Sequence, residues 1–307
     1  MSIFSIIFPL IFLVSAGYLA SAQHFLNKEH ITGLSRFTFY ISVPAFLFVH
    51  MAQADLSQSF NIASLLAFYI PVISIFIVGV LVDRFFISRQ AQPARHAVFA
   101  LGTSYSNTVL VGLPIIIAAL GEHVVGNVFM IITFHSALLF ALTFLLSACE
   151  KGQSFSWRKF AKTMLLNPVV LSISSGIAIN LAPFGLPSDL INGLSLLSQP
   201  AIACALFVLG ANLTFYKISD DWQAASIASV IKLLLLPALV YLFGGYYLSL
   251  DTEMLAVVVL LSASPLGVNA YLVANQIQQH QSTLASSVVI STLLSVISFS
   301  FWLAILL

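Results

Sequence analysis

The chain has 307 residues, of which 60% are hydrophobic and only 7% charged, and its formal net charge is +1. A soluble domain carries about a quarter charged residues to cover its surface, so this composition excludes a soluble globular protein and makes the lipid bilayer the main partner of the chain. A net charge this small also offers no basic surface for nucleic acid. The two cysteines, Cys149 and Cys204, predict neither a disulfide nor a metal site, and we expect no cofactor.

Apolar stretches of membrane-spanning length follow one another along the whole chain. A helix needs roughly 20 apolar residues to cross a bilayer. Ten such spans can be placed, at 3–22, 33–53, 61–83, 95–119, 124–147, 162–182, 190–213, 223–248, 253–277 and 284–306. The sequence therefore predicts an all-α polytopic membrane protein with ten transmembrane helices.

The loop charges are segregated between the two sides of the membrane. Every loop lysine and arginine falls in one alternate set of loops, at Lys28, Arg36, Arg84, Arg89, Arg95, Lys151, Arg158, Lys159, Lys162 and Lys217. The other set carries acidic residues, at Asp55, Glu122, Asp189, Asp251 and Glu253. Because basic residues are retained in cytoplasmic loops, both termini are predicted to face outside.

Proline and glycine pairs recur five spans apart with the same separation. They are Pro9 and Gly17 with Pro168 and Gly176, and Pro71 and Gly79 with Pro237 and Gly245. Since five is odd, the second copy enters the membrane from the opposite side. We therefore predict two inverted five-helix repeats, 1–149 and 162–307, joined by a cytoplasmic linker at 150–161.

Polar and helix-disrupting residues interrupt the fourth and ninth spans near their midpoints. The interruptions are Ser104–Thr108 with Gly112 and Pro114, and Ser262–Pro265 with Gly267 and Asn269. Proline lacks a backbone N–H and clashes with the carbonyl four residues earlier, so Pro114 should free the carbonyl of Leu110, and Pro265 that of Leu261. Interrupted helix at bilayer depth survives only inside protein or along a wet cavity, and transporters place substrate there.

Two breaks related by inversion would cross and bring two half-helix N-termini together. Such an end carries about half a positive charge, which predicts an anionic guest held by neutral amides and hydroxyls. The candidate substrate-binding residues at the breaks are Tyr105, Ser106, Asn107, Pro114, Ser264, Pro265 and Asn269. Simple kinks with interhelical hydrogen bonds are the alternative, which the corresponding positions of the two breaks disfavour.

Two ionisable residues fall inside the predicted spans. Lys232 lies within the eighth span and could attract the anion, or its side chain could reach the inner membrane surface instead. His135 lies at the middle of the fifth span and is a candidate for proton coupling. The alternative for His135 is a neutral imidazole hydrogen-bonded to a neighbouring helix.

The run Ser106–Pro114 resembles the Asn-Thr…Gly-x-Pro signature of the auxin efflux carrier family, which includes plant PIN-type carriers and bacterial malonate or malate transporters. Three further blocks resemble the same family, so that the resemblance covers nearly the whole chain: Asn167–Pro168, Leu209–Leu213 and Pro265–Tyr271. Plant members have proline where Ala270 stands and lysine where Asn275 stands. The resemblance is therefore to bacterial members, and indole-acetic acid is not expected as substrate.

This resemblance implies a fold like that of bile-acid symporters and sodium/proton antiporters, with crossed broken helices. Spans 1, 2, 6 and 7 would form a scaffold, and spans 3–5 and 8–10 a moving transport domain. The resemblance also implies a homodimer and a bacterial cytoplasmic membrane. Asn107, Pro114, Pro265 and Asn269 would lie at or near the substrate.

These observations predict a secondary transporter that moves a small organic anion, a carboxylate, by elevator-type alternating access. Coupling to sodium ions or protons stays open. The alternatives are a sodium-coupled symporter of the bile-acid type and a membrane receptor that keeps the fold without transport. An enzyme is not expected, because the sequence has no nucleophile elbow, zinc-binding His-Glu-x-x-His pattern or paired buried carboxylates.

Overall fold

The computed structural model describes residues 3–54, 61–88, 92–149, 156–182, 185–216, 218 and 221–307. Apart from one isolated antiparallel bridge, the regular structure of these residues is helical. The helices are α1 (Ile3–Ala22), α2 (Lys28–Gln53), α3 (Ile62–Ile87), α4 (Pro93–Ser104), α5 (Thr108–Leu120), α6 (Glu122–Ala148), α7 (Trp157–Leu165), α8 (Pro168–Asn180), α9 (Ser188–Leu213), α10 (Trp222–Tyr247), α11 (Thr252–Ser262), α12 (Val268–Ile277) and α13 (Gln281–Leu306).

Seven of the described helices are long and apolar enough to cross a membrane: α1, α2, α3, α6, α9, α10 and α13. The predicted fourth, sixth and ninth spans consist of shorter helices instead. The fourth comprises α4 and α5, the sixth corresponds to α8, and the ninth comprises α11 and α12. The chain is thus an all-helical polytopic membrane protein.

The middle of the chain differs from its prediction. Residues 150–155 of the predicted linker lie outside the described residues, as do Asp55, Arg89, Lys151 and Lys217. The sixth span does not begin at 162, because α7 ends at Leu165 and a new helix begins at Pro168. Asn167 is extended, as expected before proline, and its side chain caps α8 by accepting from the Val169 N–H.

Residues 157–161, also assigned to the linker, are helical. This helix, α7, is strongly amphipathic, since Trp157 and Phe160 alternate with Arg158 and Lys162 at helical spacing. Trp157 and Phe160 contact one another, and the Phe160 ring lies 6.3 Å from that of Phe144 in α6. The predicted linker therefore contains part of a short helix that packs on the end of α6.

Three prolines inside helices follow short stretches of π-helix. Pro44, Pro114 and Pro237 are each the second residue after a π-turn, and the turns are Thr38–Ser42, Thr108–Gly112 and Ile231–Leu235. A π-turn widens the helix and accommodates the missing N–H and the ring of proline. The helix therefore continues through Pro114, and the first interruption is confined to 105–107.

The strongest helix contacts form two sets. In one set α1 packs along α9, and α2 packs along α8. Gly17 and Gly210 let α1 and α9 meet backbone to backbone, because a Cβ at Gly210 would overlap the carbonyl oxygen of Val14. In the other set α3 packs on α4, α4 on α6, and α10 on α13. The interrupted helices pack mainly with the second set, and α5 also contacts α1 and α9 of the first.

Candidate functional site

The two interruptions contact one another directly. The backbone N–H of Asn107 donates to the carbonyl of Pro265 at 2.8 Å, and Ser106 pairs with Leu266 in the isolated antiparallel bridge. Two segments 158 residues apart in sequence thus satisfy part of each other's backbone. The structure places the two predicted breaks against each other.

Glycine allows this close approach at Gly267. A Cβ at this position would lie 2.5 Å from Cε1 of Tyr105 and 2.9 Å from Cδ1, which are distances that real Cβ atoms do not show. The Tyr105 ring is therefore packed closely against the backbone of the second break. A side chain at Gly267 would push the ring away from this position.

Side chains from neighbouring helices satisfy two further backbone N–H groups at the breaks. The Ser106 N–H donates to Nε2 of His135 at 2.9 Å, and the Leu266 N–H donates to Oγ of Ser291 at 3.0 Å. Pro265 does not free the carbonyl of Leu261, which accepts from the Ser264 N–H at 3.3 Å, so that prediction is wrong. A tightened last turn of α11 supplies this donor where a regular helix would need the N–H of residue 265.

Lys232 is completely buried and does not reach a membrane surface, contrary to one of the two predicted placements. Its ammonium group donates to the carbonyl oxygens of Ser262 at 2.6 Å and Ser264 at 2.7 Å. Both acceptors belong to the second interruption. Lys232 therefore holds the backbone of the break.

A cavity of about 330 Å³ lies beside the breaks. Residues from α2, α6, α8, α9 and α12 line it together with the first interruption. Its polar lining consists of Tyr40, Tyr105, Ser106, Asn107, Thr108, Thr133, Ser136, Asn167, Asn212 and Asn269. Among the described residues that line it, none carries a charged side chain, so the cavity offers neutral donors and acceptors only.

Of the predicted site residues, the structure brings Tyr105, Ser106, Asn107 and Asn269 together on this cavity. It does not place the others there. The predicted site residues that do not line the cavity are Pro114, Ser264, Pro265, Lys232 and His135.

In the side-chain amide of Asn107, the oxygen has a hydrogen-bond partner and the nitrogen has none. Its Oδ1 accepts from the N–H of Leu110 at 3.3 Å and so caps α5, which orients the amide. Nδ2 is buried and has no hydrogen-bond partner, although Asn107 is only 6% exposed and lines the cavity. A buried donor without a partner is uncommon in native proteins and is expected where a ligand accepts the bond. The hydroxyl of Ser106 is likewise buried without a partner.

Asn269 lies on the opposite wall, in the first turn of α12. Its Nδ2 is 3.5 Å from the hydroxyl of Tyr105, which is a long hydrogen bond. The same hydroxyl is 2.8 Å from Oγ of Ser136. The α12 N-terminus has no side-chain cap, so its first N–H groups are available beside Asn269.

His135 supports the first interruption from behind. Its Nε2 accepts a hydrogen bond from the Ser106 N–H and so carries no proton in this arrangement, which makes the imidazole neutral. The ring stacks on Tyr105 with 4.9 Å between centroids. Protonation would break the bond to Ser106, and the part of His135 in proton coupling stays a prediction.

Sequence reasoning did not single out the polar residues that the first helix set contributes to the cavity. Asn167 precedes α8 and Asn212 lies in the last turn of α9, and both are in blocks that resemble the auxin efflux carrier family. Thr133 and Ser136 lie in α6, one turn apart. A polar stripe on an otherwise apolar span was the available signal for the latter pair.

A second buried polar cluster lies away from the cavity, around Asp83 at the end of α3. This carboxylate is fully buried and binds Nδ1 of His96 at 2.6 Å and Nε2 of His280 at 2.9 Å. His96 belongs to α4, and His280 precedes α13. The cluster therefore links the start of α4 and the segment after α12, the ends far from the interruptions, to α3.

The molecule is thus an integral multi-pass membrane protein whose interrupted helices adjoin a polar cavity, an architecture typical of transporters. Its sequence matches the family described as "Membrane transport protein" over residues 2–303. The chain belongs to this family, that of the auxin efflux carriers.

Two relatives extend this assignment at low identity. A protein of Rhizobium meliloti (strain 1021), named "Putative malonate transporter", is 25% identical over 302 residues, covering 95% of this chain and 92% of that relative. A protein of Methanothermobacter thermautotrophicus, named "Uncharacterized transporter", is 24% identical over 298 residues, covering 96% of this chain and 95% of the relative. The family and both relatives are transporters by name and not enzymes.

Proposed function

We propose that this protein is a secondary transporter of a small organic anion, a carboxylate, which binds in the cavity beside the two interruptions. The observation that carries this proposal is the Nδ2 of Asn107, a buried donor that has no partner in the protein and belongs to a residue that lines the cavity. A carboxylate oxygen is the acceptor that such a donor lacks. The substrate named for the Rhizobium meliloti relative is of this chemical class.

The surroundings of the cavity support an anion over a cation. The N-termini of α5 and α12 both lie at its wall, and helix N-termini favour negative charge. Asn269, Tyr105 and Ser136 add donors that can adjust, because their mutual hydrogen bonds include one of 3.5 Å. A volume of about 330 Å³ is at the small end for ligand sites and suits a small acid.

The position of the cavity supports alternating access of the elevator type. One wall comes from α2, α8 and α9, and the other from the interruptions and α6. The first group belongs to the predicted scaffold, and the second to the predicted transport domain of a ten-span, inverted-repeat fold. Sliding one helix set along the other would carry the interruptions and their donors across the membrane, while the wall from α2, α8 and α9 stays in place.

The charge distribution supports an orientation. Asn167 and Asn212 line the cavity and lie at helix ends beside the basic loops. With basic loops in the cytoplasm and both termini outside, the cavity lies toward the cytoplasmic side. We therefore propose a carrier of the bacterial cytoplasmic membrane, seen with its site on the inner side.

Counterflow in proteoliposomes tests the proposal. Liposomes preloaded with unlabelled malonate should accumulate labelled malonate when they contain the wild-type protein, and malonamide, its uncharged analogue, should not compete. Asn107→Ala and Asn269→Ala should each abolish counterflow with folded yield retained. Asn192→Ala is the matched control, because Asn192 is exposed and lies on α9 away from the cavity. Counterflow at the wild-type rate in both site variants would overturn the proposal. So would the absence of counterflow by the wild-type protein with every small carboxylate tested.

A further inference from the structure

Side-chain hydroxyl groups of the protein donate hydrogen bonds to backbone carbonyls near the C-terminal ends of α4 and α11. At the end of α4, the carbonyl of Ala100 accepts from the hydroxyls of Thr103 and Ser104, both at 2.8 Å. At the end of α11, the hydroxyl of Ser262 donates to Val259 at 2.7 Å. Hydroxyl groups thus satisfy much of each helix end.

Two carbonyls at the second interruption have a different donor. The oxygens of Ser262 and Ser264 both point at Nζ of Lys232. Helix C-termini carry partial negative charge, and converging carbonyls at an unwound segment form a cation site. In carriers with interrupted helices, such oxygens coordinate a coupling sodium ion or proton.

The geometry points to Lys232 as a tethered cation that occupies this carbonyl site in place of a sodium ion. We propose that transport by this protein is consequently independent of sodium. The inference rests on the proposed carrier function. It adds which cation neutralises the carbonyl oxygens at the second interruption.

The contacts of Lys232 distinguish this role from substrate binding. Its two acceptors are backbone oxygens at 2.6 and 2.7 Å, short distances typical of charge-assisted hydrogen bonds. Neither Lys232 nor Ser264 lines the cavity. Within the described residues, no carboxylate lies at ion-pair distance from Lys232. The charge is therefore balanced by carbonyl dipoles and is not held ready for an anion.

The placement of Lys232 depends on the π-turn of α10. Residues Ile231–Leu235 form this turn ahead of Pro237, and the carbonyl of Leu233, which proline leaves without its usual donor, accepts from the Ser298 hydroxyl at 2.8 Å. π-Turns inside helices occur frequently at functional sites. Here the turn and the serine on α13 hold Lys232 against the break.

Two substitutions of Lys232 separate charge from volume. Lys232→Met keeps most of the volume but removes the charge, whereas Lys232→Ala removes both and leaves room for a free cation. We expect both variants to melt roughly 5–10 °C below wild type in the absence of substrate, since each leaves buried acceptors without a donor. Adding n-propylammonium or sodium chloride, against choline chloride at equal ionic strength, should restore part of the loss in Lys232→Ala only.

Wild-type protein provides an arm that does not depend on the folding of any variant. Its melting temperature and its malonate counterflow should stay unchanged when choline replaces sodium on both sides of the membrane. A sodium-specific rise in either quantity would overturn the proposal, as would wild-type melting of Lys232→Met or a folded Lys232→Ala that no cation stabilises. Because melting is measured without substrate, absence of any counterflow would count against the carrier function and not against the tethered cation.

Discussion

The side-chain amide of Asn107 has a capping oxygen and an unpartnered nitrogen, and two substitutions can separate the cap from the proposed substrate contact. Oδ1 caps α5 at the Leu110 N–H, and Nδ2 is buried without a partner in a residue that lines the cavity. Serine caps a helix about as well as asparagine, but its side chain is too short to present a donor where Nδ2 lies. Asn107→Ser should therefore keep the cap and lose the donor, whereas Asn107→Ala should lose both.

The expected magnitudes differ between stability and affinity. Loss of an N-cap costs about 1 kcal/mol, so Asn107→Ala should melt below Asn107→Ser, which should stay close to wild type. A hydrogen bond to a charged group contributes about 1.5–3 kcal/mol, so loss of the Nδ2 donor should weaken carboxylate binding roughly 10- to 150-fold in both variants.

Thermal melting of purified protein with a malonate titration measures both quantities, since ligand that binds the folded state raises the melting temperature with concentration. Asn192→Ala again serves as the control for an asparagine outside the cavity. If Asn107→Ser bound malonate with wild-type affinity, the free amide donor would not contact substrate, and the argument from the unpartnered Nδ2 would fail.

Three further substitutions test the contact at Gly267, the packing of α1 on α9, and the buried Asp83 cluster. Gly267→Ala should reduce counterflow at least tenfold at unchanged yield, because the new Cβ would displace the Tyr105 ring; full counterflow would refute the close contact. Gly210→Ala should destabilise the protein by about 2 kcal/mol through overlap with the α1 backbone, whereas Gly193→Ala on the same helix, with open space around it, should leave the melting temperature unchanged. Asp83→Asn offers one acceptor where two imidazoles need one each, so a loss of about 3 kcal/mol is expected in thermal melting, and wild-type stability would contradict the buried cluster.

The interruptions were predictable because they are local features with a physical meaning. Polar residues, glycine and proline in the middle of apolar spans disagree with a continuous membrane helix, and the disagreement occurs at corresponding places in both halves. The contact between Asn107 and Pro265 follows from that correspondence. Four of the predicted site residues line one cavity for the same reason.

The remaining features depend on contacts that local sequence does not specify. From its sequence position alone, the Lys232 side chain could reach either the anion or the membrane surface. Its actual partners, the carbonyls of Ser262 and Ser264, depend on the path of the backbone at the end of α11. The partners Asp83 and His280 are 197 residues apart and stand at helix ends, where charged residues are usually solvated. The break within 162–182 was missed because the apolar pattern continues while Asn167 and Pro168 end one helix and begin another.

The separation between the buried cation and the cavity has a consequence for the transport cycle. If Lys232 were the direct ligand of the anion, the empty carrier would return with an unpaired buried ammonium, which costs several kcal/mol. In this structure two carbonyls compensate Lys232, and Lys232 does not line the cavity. In the proposed function the anion is bound by neutral donors and helix ends, which bind less strongly than a buried arginine and release sooner. In the proposed carrier, the transport domain can therefore move both loaded and empty, as the proposed transport without a coupling sodium ion requires.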